Sequence, residues 1–130
     1  AYRAIQLSSV VIVSSDLSLA GMRDSVRLLK FVRENNPGAQ IIMIVNRIGE
    51  HPKAEIPLAE FEKGLGRKVD FKINFEPNAM LNAANLGRPL IETGGPAARV
   101  IDQLAERLAG PGPKAAPARN VKSLLARFRK

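Results

Sequence analysis

The sequence predicts a three-layer α/β fold, a parallel sheet with helices on both faces. Two short β-branched runs, residues 10–13 (Val-Val-Ile-Val) and 41–45 (Ile-Ile-Met-Ile-Val), have no polar alternation. Strands buried on both faces of a parallel sheet read this way. A helix-length amphipathic segment lies between them, giving a strand–helix–strand unit whose crossover is right-handed as a rule. The alternation of strand and helix then continues to residue 109, which argues for helices on both sides of one sheet.

In the segment between the two runs, Leu19, Met22, Val26, Leu29 and Val32 recur at helical spacing, with Arg23, Arg27, Lys30 and Glu34 on the other side. Ser18 is a suitable N-cap, and Asn36, Pro37 and Gly38 end the helix. After Asn46 comes a polar, proline-marked loop over residues 47–55. Leu58, Phe61 and Leu65 predict a short helix closed by Gly64 or Gly66. Residues 69–74 alternate Val69, Phe71 and Ile73 with charged neighbours, a third strand placed nearer a sheet edge. Pro77 opens another helical stretch through residue 86, stopped by Gly87 and Pro89. Thr93, Gly94, Gly95 and Pro96 start the last helix of the core. Its apolar stripe is Ala97, Val100, Ile101, Leu104 and Leu108, and Gly110 is its stop.

A chain of 130 residues with 45% apolar content has room for one domain and one core. It has no apolar run of membrane-spanning length, no secretory signal layout and no cysteine, a composition that suits the cytoplasm. The net charge of +8 is unevenly placed. Residues 1–109 carry fourteen Lys and Arg against twelve acidic residues, and the remaining +6 lies beyond. Residues 110–119, with three prolines, read as a linker after the domain of residues 1–109. In residues 120–130, Val121, Leu124, Leu125 and Phe128 form an apolar stripe opposite Lys122, Arg127, Arg129 and Lys130, with Asn120 as N-cap. This basic amphipathic pattern suits reversible attachment to an anionic membrane surface through Lys122, Leu124, Leu125, Arg127, Phe128 and Arg129. DNA contact would use the charges and leave the stripe without a purpose, so nucleic acid is not the expected partner.

Catalytic chemistry is harder to find. A phosphate-binding loop needs a glycine-rich turn between strand and helix, with a lysine reaching the outer phosphates. Gly64, Leu65, Gly66 and Arg67 follow a helix and precede a strand, the reverse order. Gly94 and Gly95 precede a helix without a strand before them. His51 is the single histidine and sits in a polar loop. No catalytic residue and no metal site are assigned, and this chain alone is not expected to bind or hydrolyse ATP.

Several segments in order carry a resemblance. Residues 10–17 (Val-Val-Ile-Val-Ser-Ser-Asp-Leu) followed by residues 22–29 (Met-Arg-Asp-Ser-Val-Arg-Leu-Leu) resemble a strand and helix of ParA/MinD-like ATPases, a deviant-Walker group of P-loop NTPases. Residues 42–47, ending in Asn46-Arg47, look like that family's next strand. Residues 69–77 are similar to its strand and proline-acidic turn, with Asn74 where a proline is usual. Residues 83–90 match its Asn-x-Gly-x-Pro segment. The Ile56–Lys63 and Leu65–Lys68 stretches make the chain most like the CpaE/TadZ group, which localises and assembles the Flp/Tad pilus secretion machine. The resemblance implies the C-terminal part of a Rossmann-like P-loop NTPase fold, with the phosphate loop upstream of Ala1. It implies ATP and Mg²⁺ as cofactors of the parent, with Asn46 and the turn of Asn74, Phe75 and Glu76 around the base. It also implies a homodimer, with Arg23 and Asp24 near its face, pilus-machinery partners, and a place on the cytoplasmic face of the membrane. Two alternatives stay open: a response-regulator receiver with Asp16 as phosphoacceptor, and a ParA-like DNA partition protein.

Overall fold

The computed structural model describes residues 2–110. Nearly all of the expected linker, and the whole tail with Lys122, Leu124, Leu125, Arg127, Phe128 and Arg129, lie outside the described residues. In chain order the elements are α1 (Tyr2–Leu7), β1 (Val10–Ser15), α2 (Leu19–Asn35), β2 (Gln40–Ile48), α3 (Leu58–Leu65), β3 (Phe71–Asn74), α4 (Pro77–Asn85), α5 (Leu90–Thr93) and α6 (Pro96–Ala109). Among the described residues the sheet has the order β1-β2-β3, and both pairings are parallel.

β2 is the centre of the fold because both its faces are apolar. Met43 and Val45 point into a cluster with Val13, Leu17, Leu29, Phe61 and Leu65, beneath α2 and α3. Ile42 and Ile44 point the other way, toward Ile73 and Ala97, with Val100, Ile101 and Leu104 of α6 packed alongside. Successive strand residues face opposite sides, so an unbroken apolar run must be covered twice. Met43, Val45 and Ile42 are fully enclosed; burying side chains of this size contributes roughly 1.5–3 kcal/mol each. The three layers expected from the sequence follow from this one strand.

α2 begins where expected: the Ser18 hydroxyl accepts the Gly21 N–H at 2.9 Å. Of the two glycines proposed to close α3, Gly66 does so, in the left-handed conformation at φ 71°. Gly64 lies inside the helix against Met22, and a Cβ there would overlap the Met22 sulfur. The absence of a Cβ lets the Met22 side chain lie against the α3 backbone. α1 was not expected. The Asn36 side-chain amide, just past α2, donates to the carbonyls of Ile5 (2.8 Å) and Ser8 (2.7 Å). It thereby satisfies groups that a helix end leaves open, and the Tyr2 ring meets Phe31 edge-on.

β3 starts at Phe71, two residues later than the alternating pattern indicates. Asp70 explains the difference. Its N–H donates to the Met43 carbonyl (2.9 Å), while its carboxylate accepts the Met43 N–H (2.7 Å). Asp70 thus pairs with β2 through its side chain where a strand residue would use a carbonyl. Arg67 reaches the same carboxylate at 3.1 Å and also donates to the Ile41 carbonyl. Arg107 of α6 reaches the other oxygen at 3.1 Å and lies over the Phe71 ring. α4 ends one residue earlier than expected, and the four-residue α5 was not foreseen.

Removing the Asp70 carboxylate leaves a backbone N–H and two guanidinium groups without their acceptor. Asp70→Ala is expected to lower unfolding free energy by about 2–4 kcal/mol. Arg107→Ala, which removes an exposed partner, should cost about 1 kcal/mol or less. Urea unfolding of the two variants beside the wild type checks the ranking; equal losses would show that Asp70 is an ordinary surface ion-pair member.

Candidate functional site

Ligands of open parallel α/β sheets bind outside the carboxyl ends of the strands, where loops diverge. Here those ends are Ser15, Ile48 and Asn74, and the backbone there departs from regularity. The ladder between β2 and β3 shifts register between Val45 and Ile48. Arg47, inside that shift, has φ 59°, the sole non-glycine positive φ among the described residues. An extra strand residue of this kind bends the chain and re-aims side chains. The Asn46 side-chain oxygen accepts the Arg47 N–H at 2.8 Å and supports the bend. Beyond it, the Ile48 carbonyl accepts the Phe75 N–H at 2.8 Å, drawing the turn after β3 against the end of β2.

The predicted base-contacting residues are therefore gathered at one end of the sheet, with distinct occupations. Asn46 is half-buried, and its oxygen is engaged locally. Asn74 and Phe75 are exposed, Phe75 to 40%. Glu76 is half-buried, and its carboxylate accepts the Ala97 N–H at 3.0 Å, at the N-terminus of α6. A carboxylate is stabilised there by the open N–H groups and the positive end of the helix dipole. Arg23 and Asp24 lie exposed on α2.

A cluster that sequence reasoning did not single out lies on the β1 side of β2. Arg47 and Glu50 form a two-point ion pair, with Arg47 Nη2 2.7 Å from Glu50 Oε1 and Nε bonded to Oε2. Together with Asp16, Leu17, Ser18 and His51 they line a small open cleft of about 60 Å³. Asp16 holds the turn before α2, accepting from the Ser18 hydroxyl and N–H. A Cβ at Gly21 would run into the Asp16 and Ser15 side chains, so glycine lets α2 start close to this turn. Glu55 accepts the Gly49 N–H at 2.7 Å, and Ile56 N–H donates to the Leu17 carbonyl, which closes the 49–56 loop over the cleft. No group of three or more His, Cys, Asp or Glu among the described residues is arranged to hold a metal ion.

The hydrogen bond from Arg47 holds the Glu50 carboxyl below its ordinary range, against the opposing effect of desolvation, and the Arg47 charge adds to it. The same pairing raises Arg47. Since the folded-state value of Glu50 is lowered, its favourable contribution is present above the unfolded carboxylate value and is lost as pH falls through the folded one. An NMR titration should find the Glu50 carboxyl titrating below the ordinary carboxylate range in the wild type and moving up in Arg47→Ala. A Glu50 that titrates alike in the two proteins would show that the pair is absent in solution.

No protein-family model and no curated protein sequence matches the chain. Among solved structures it is similar to the MinD cell division protein of Aquifex aeolicus, at 24% identity and a TM-score of 0.66, over 82% of this chain and 46% of that one. It is also similar to a ParA family ATPase from Chlorobium tepidum TLS, at 23% identity and a TM-score of 0.59, over 72% of this chain and 39% of that one. The chain spans less than half the length of either. Its parallel α/β sheet, flanked by helices on both faces, has the fold of the matched part of these two proteins.

Proposed function

We propose that this chain is the base-recognising end of a ParA/MinD-like ATPase domain, whose phosphate-binding residues lie outside these 130 residues. The observation that carries the reading is the junction at the carboxyl ends of β2 and β3. The hydrogen bond from Phe75 to Ile48 brings the turn of Asn74, Phe75 and Glu76 beside Asn46. In that position a side-chain amide can donate and accept toward a base edge at once. Phe75, half in solvent, offers a flat apolar surface to a ring. ATP with Mg²⁺ is then the ligand of the longer protein, acting as a homodimer, and this chain by itself lacks the phosphate contacts that supply much of nucleotide affinity.

The segments similar to CpaE/TadZ proteins extend the reading to the localisation and assembly of a Flp/Tad pilus secretion machine at the cytoplasmic membrane. The tail of residues 120–130 supports it. Its apolar stripe and basic face match what an anionic leaflet attracts, at about 1 kcal/mol per Lys or Arg near the surface. One such tail binds weakly, and two on a dimer bind usefully through effective concentration.

Two measurements test the two halves of the proposal. In the longer protein, Asn46→Ala should weaken adenine-nucleotide binding by about 1–3 kcal/mol without changing the fold. An unchanged dissociation constant in a well-folded variant would reduce Asn46 to the support of Arg47. In liposome co-sedimentation the longer protein should require anionic lipid, release with salt, and lose binding in Leu125→Glu and Phe128→Glu. Indifference to liposomes under dimerising conditions, or binding that survives both substitutions, removes the membrane role.

A further inference from the structure

The turn after β3 carries an acidic residue whose side chain serves a distant helix. Glu76 is the N-cap of α4. Its carbonyl accepts the Met80 N–H at 3.0 Å, but its carboxylate makes no cap bond to that helix. The carboxylate instead accepts the N–H of Ala97 in α6, 21 positions along the chain. α6 has no side-chain cap of its own. Its N-cap is Gly95 at φ 100°, a conformation open to glycine and strained for residues with a Cβ. Pro96 has no N–H, so Ala97 carries the first N–H of the helix. Ala97 is 1% exposed, and an N–H in so buried a place needs a partner. Glu76 is that partner.

The same bond has a second effect. Ala97 packs with Ile42, Ile44 and Ile73 on one face of the sheet, so the core sets its position. Through the carboxylate that position is passed to the turn. On the other side, the Phe75 N–H is bonded to the Ile48 carbonyl at the end of β2. Phe75 therefore lies between two fixed points, one on β2 and one on α6. Its own ring is 40% exposed, and the strand before it is only four residues long. Neither burial of the ring nor a long ladder holds this turn; its two hydrogen bonds to other elements do.

We propose, on the reading of this junction as a base site, that Glu76 is a positioning residue. Its carboxylate holds α6, while the backbone of the turn and the Phe75 ring face the base beside Asn46. A surface held in place before its ligand arrives loses less freedom on binding, and hydrogen bonds from behind it are what hold it. The coupling runs both ways. A cap that favours the base-bound turn must itself be favoured by the bound base, and by the same factor. Occupancy of the base site is thereby passed to the first turn of α6, on the Ile42 and Ile44 face of the sheet.

Binding titrations and hydrogen exchange on the longer protein test it, with ATP and inorganic tripolyphosphate as probes. In the wild type ATP should slow exchange at the Ala97 amide, and tripolyphosphate, which has no base, should not. Glu76→Ala should weaken ATP about tenfold, the equivalent of one charge-assisted hydrogen bond, and leave tripolyphosphate unchanged. Glu76→Gln keeps an oxygen that can accept the Ala97 N–H and loses only the charge at the helix end, so its loss should be about threefold. A cap with a purely structural part would lower stability without changing the preference for ATP over tripolyphosphate. Asn36→Ala, which frees α1 at the opposite end of the sheet, supplies that comparison: it should unfold more easily and bind ATP as the wild type does. Asn46→Ala separates loss of the base site from loss of the coupling. A selective loss of ATP in Asn46→Ala but not in Glu76→Ala, or an equal loss of both probes in Glu76→Ala, would leave Glu76 a helix cap only. An Ala97 amide indifferent to ATP would overturn the coupling without any substitution, and so decides the matter should Glu76→Ala not fold. No selective loss of ATP in Asn46→Ala would remove the base site itself, and the role of Glu76 with it.

Discussion

Met43 gives both of its backbone groups to Asp70 and its side chain to the core beneath α2 and α3. That double attachment sets where the chain enters β3. Ile44 then falls opposite Phe71, and Val45 opposite Lys72. Arg67 and Arg107 converge on the same carboxylate, so the turn after α3 and the last turns of α6 are fastened to one side chain. Taking a carboxylate largely out of water is costly unless its oxygens are fully bonded. Here a backbone N–H and two guanidinium groups meet that condition. The helices on the two faces of the sheet are held to each other through β2 and Asp70 as well as through apolar packing.

Regularity at the amino ends of the strands contrasts with the carboxyl ends. Asp70 locks the β2–β3 ladder at its start, and the register shift near Arg47 breaks it at its end. A non-glycine residue in the left-handed region costs on the order of 1 kcal/mol, and it persists where the surroundings over-determine it. Asn46, Glu50 and the Phe75–Ile48 bond supply that determination. The bend directs Asn46 and Arg47 to different neighbours: Asn46 lies beside the β3 turn, and Arg47 lies over the Asp16–Glu50 cleft on the β1 side.

Much of this arrangement is legible in the residues. The apolar runs of β1 and β2 identify a doubly covered sheet because burial on both faces leaves no room for alternation. Ser18, Gly66 and Pro96 mark helix ends through local geometry that each residue type favours. What escapes is chemistry between distant residues. α1 buries nothing fully and is held by Asn36, 31 positions from Ile5. Asp70 sits in an alternating pattern that reads as strand, yet takes its place in the ladder through its side chain. Glu76 belongs to a turn by its position and to α6 by its hydrogen bond. For the site, the Asn46-Arg47 pair and the turn at Asn74 are visible through resemblance. The pairing of Arg47 with Glu50 depends on a positive φ that no residue type in the segment announces.

The two outer edges bear on how a phosphate site would join this sheet. Such a site is a strand, a glycine-rich loop and a helix, with the loop at the carboxyl end of the strand. None of the three strands here has that loop after it. Added as a parallel neighbour, such a strand needs an edge with outward N–H and C=O groups and no charge in the way. β3, with Lys72 and the Asp70–Arg107 pair, is a poor acceptor, and β1 meets the requirement along its length. A strand there would also cover Ile12, which is 43% exposed.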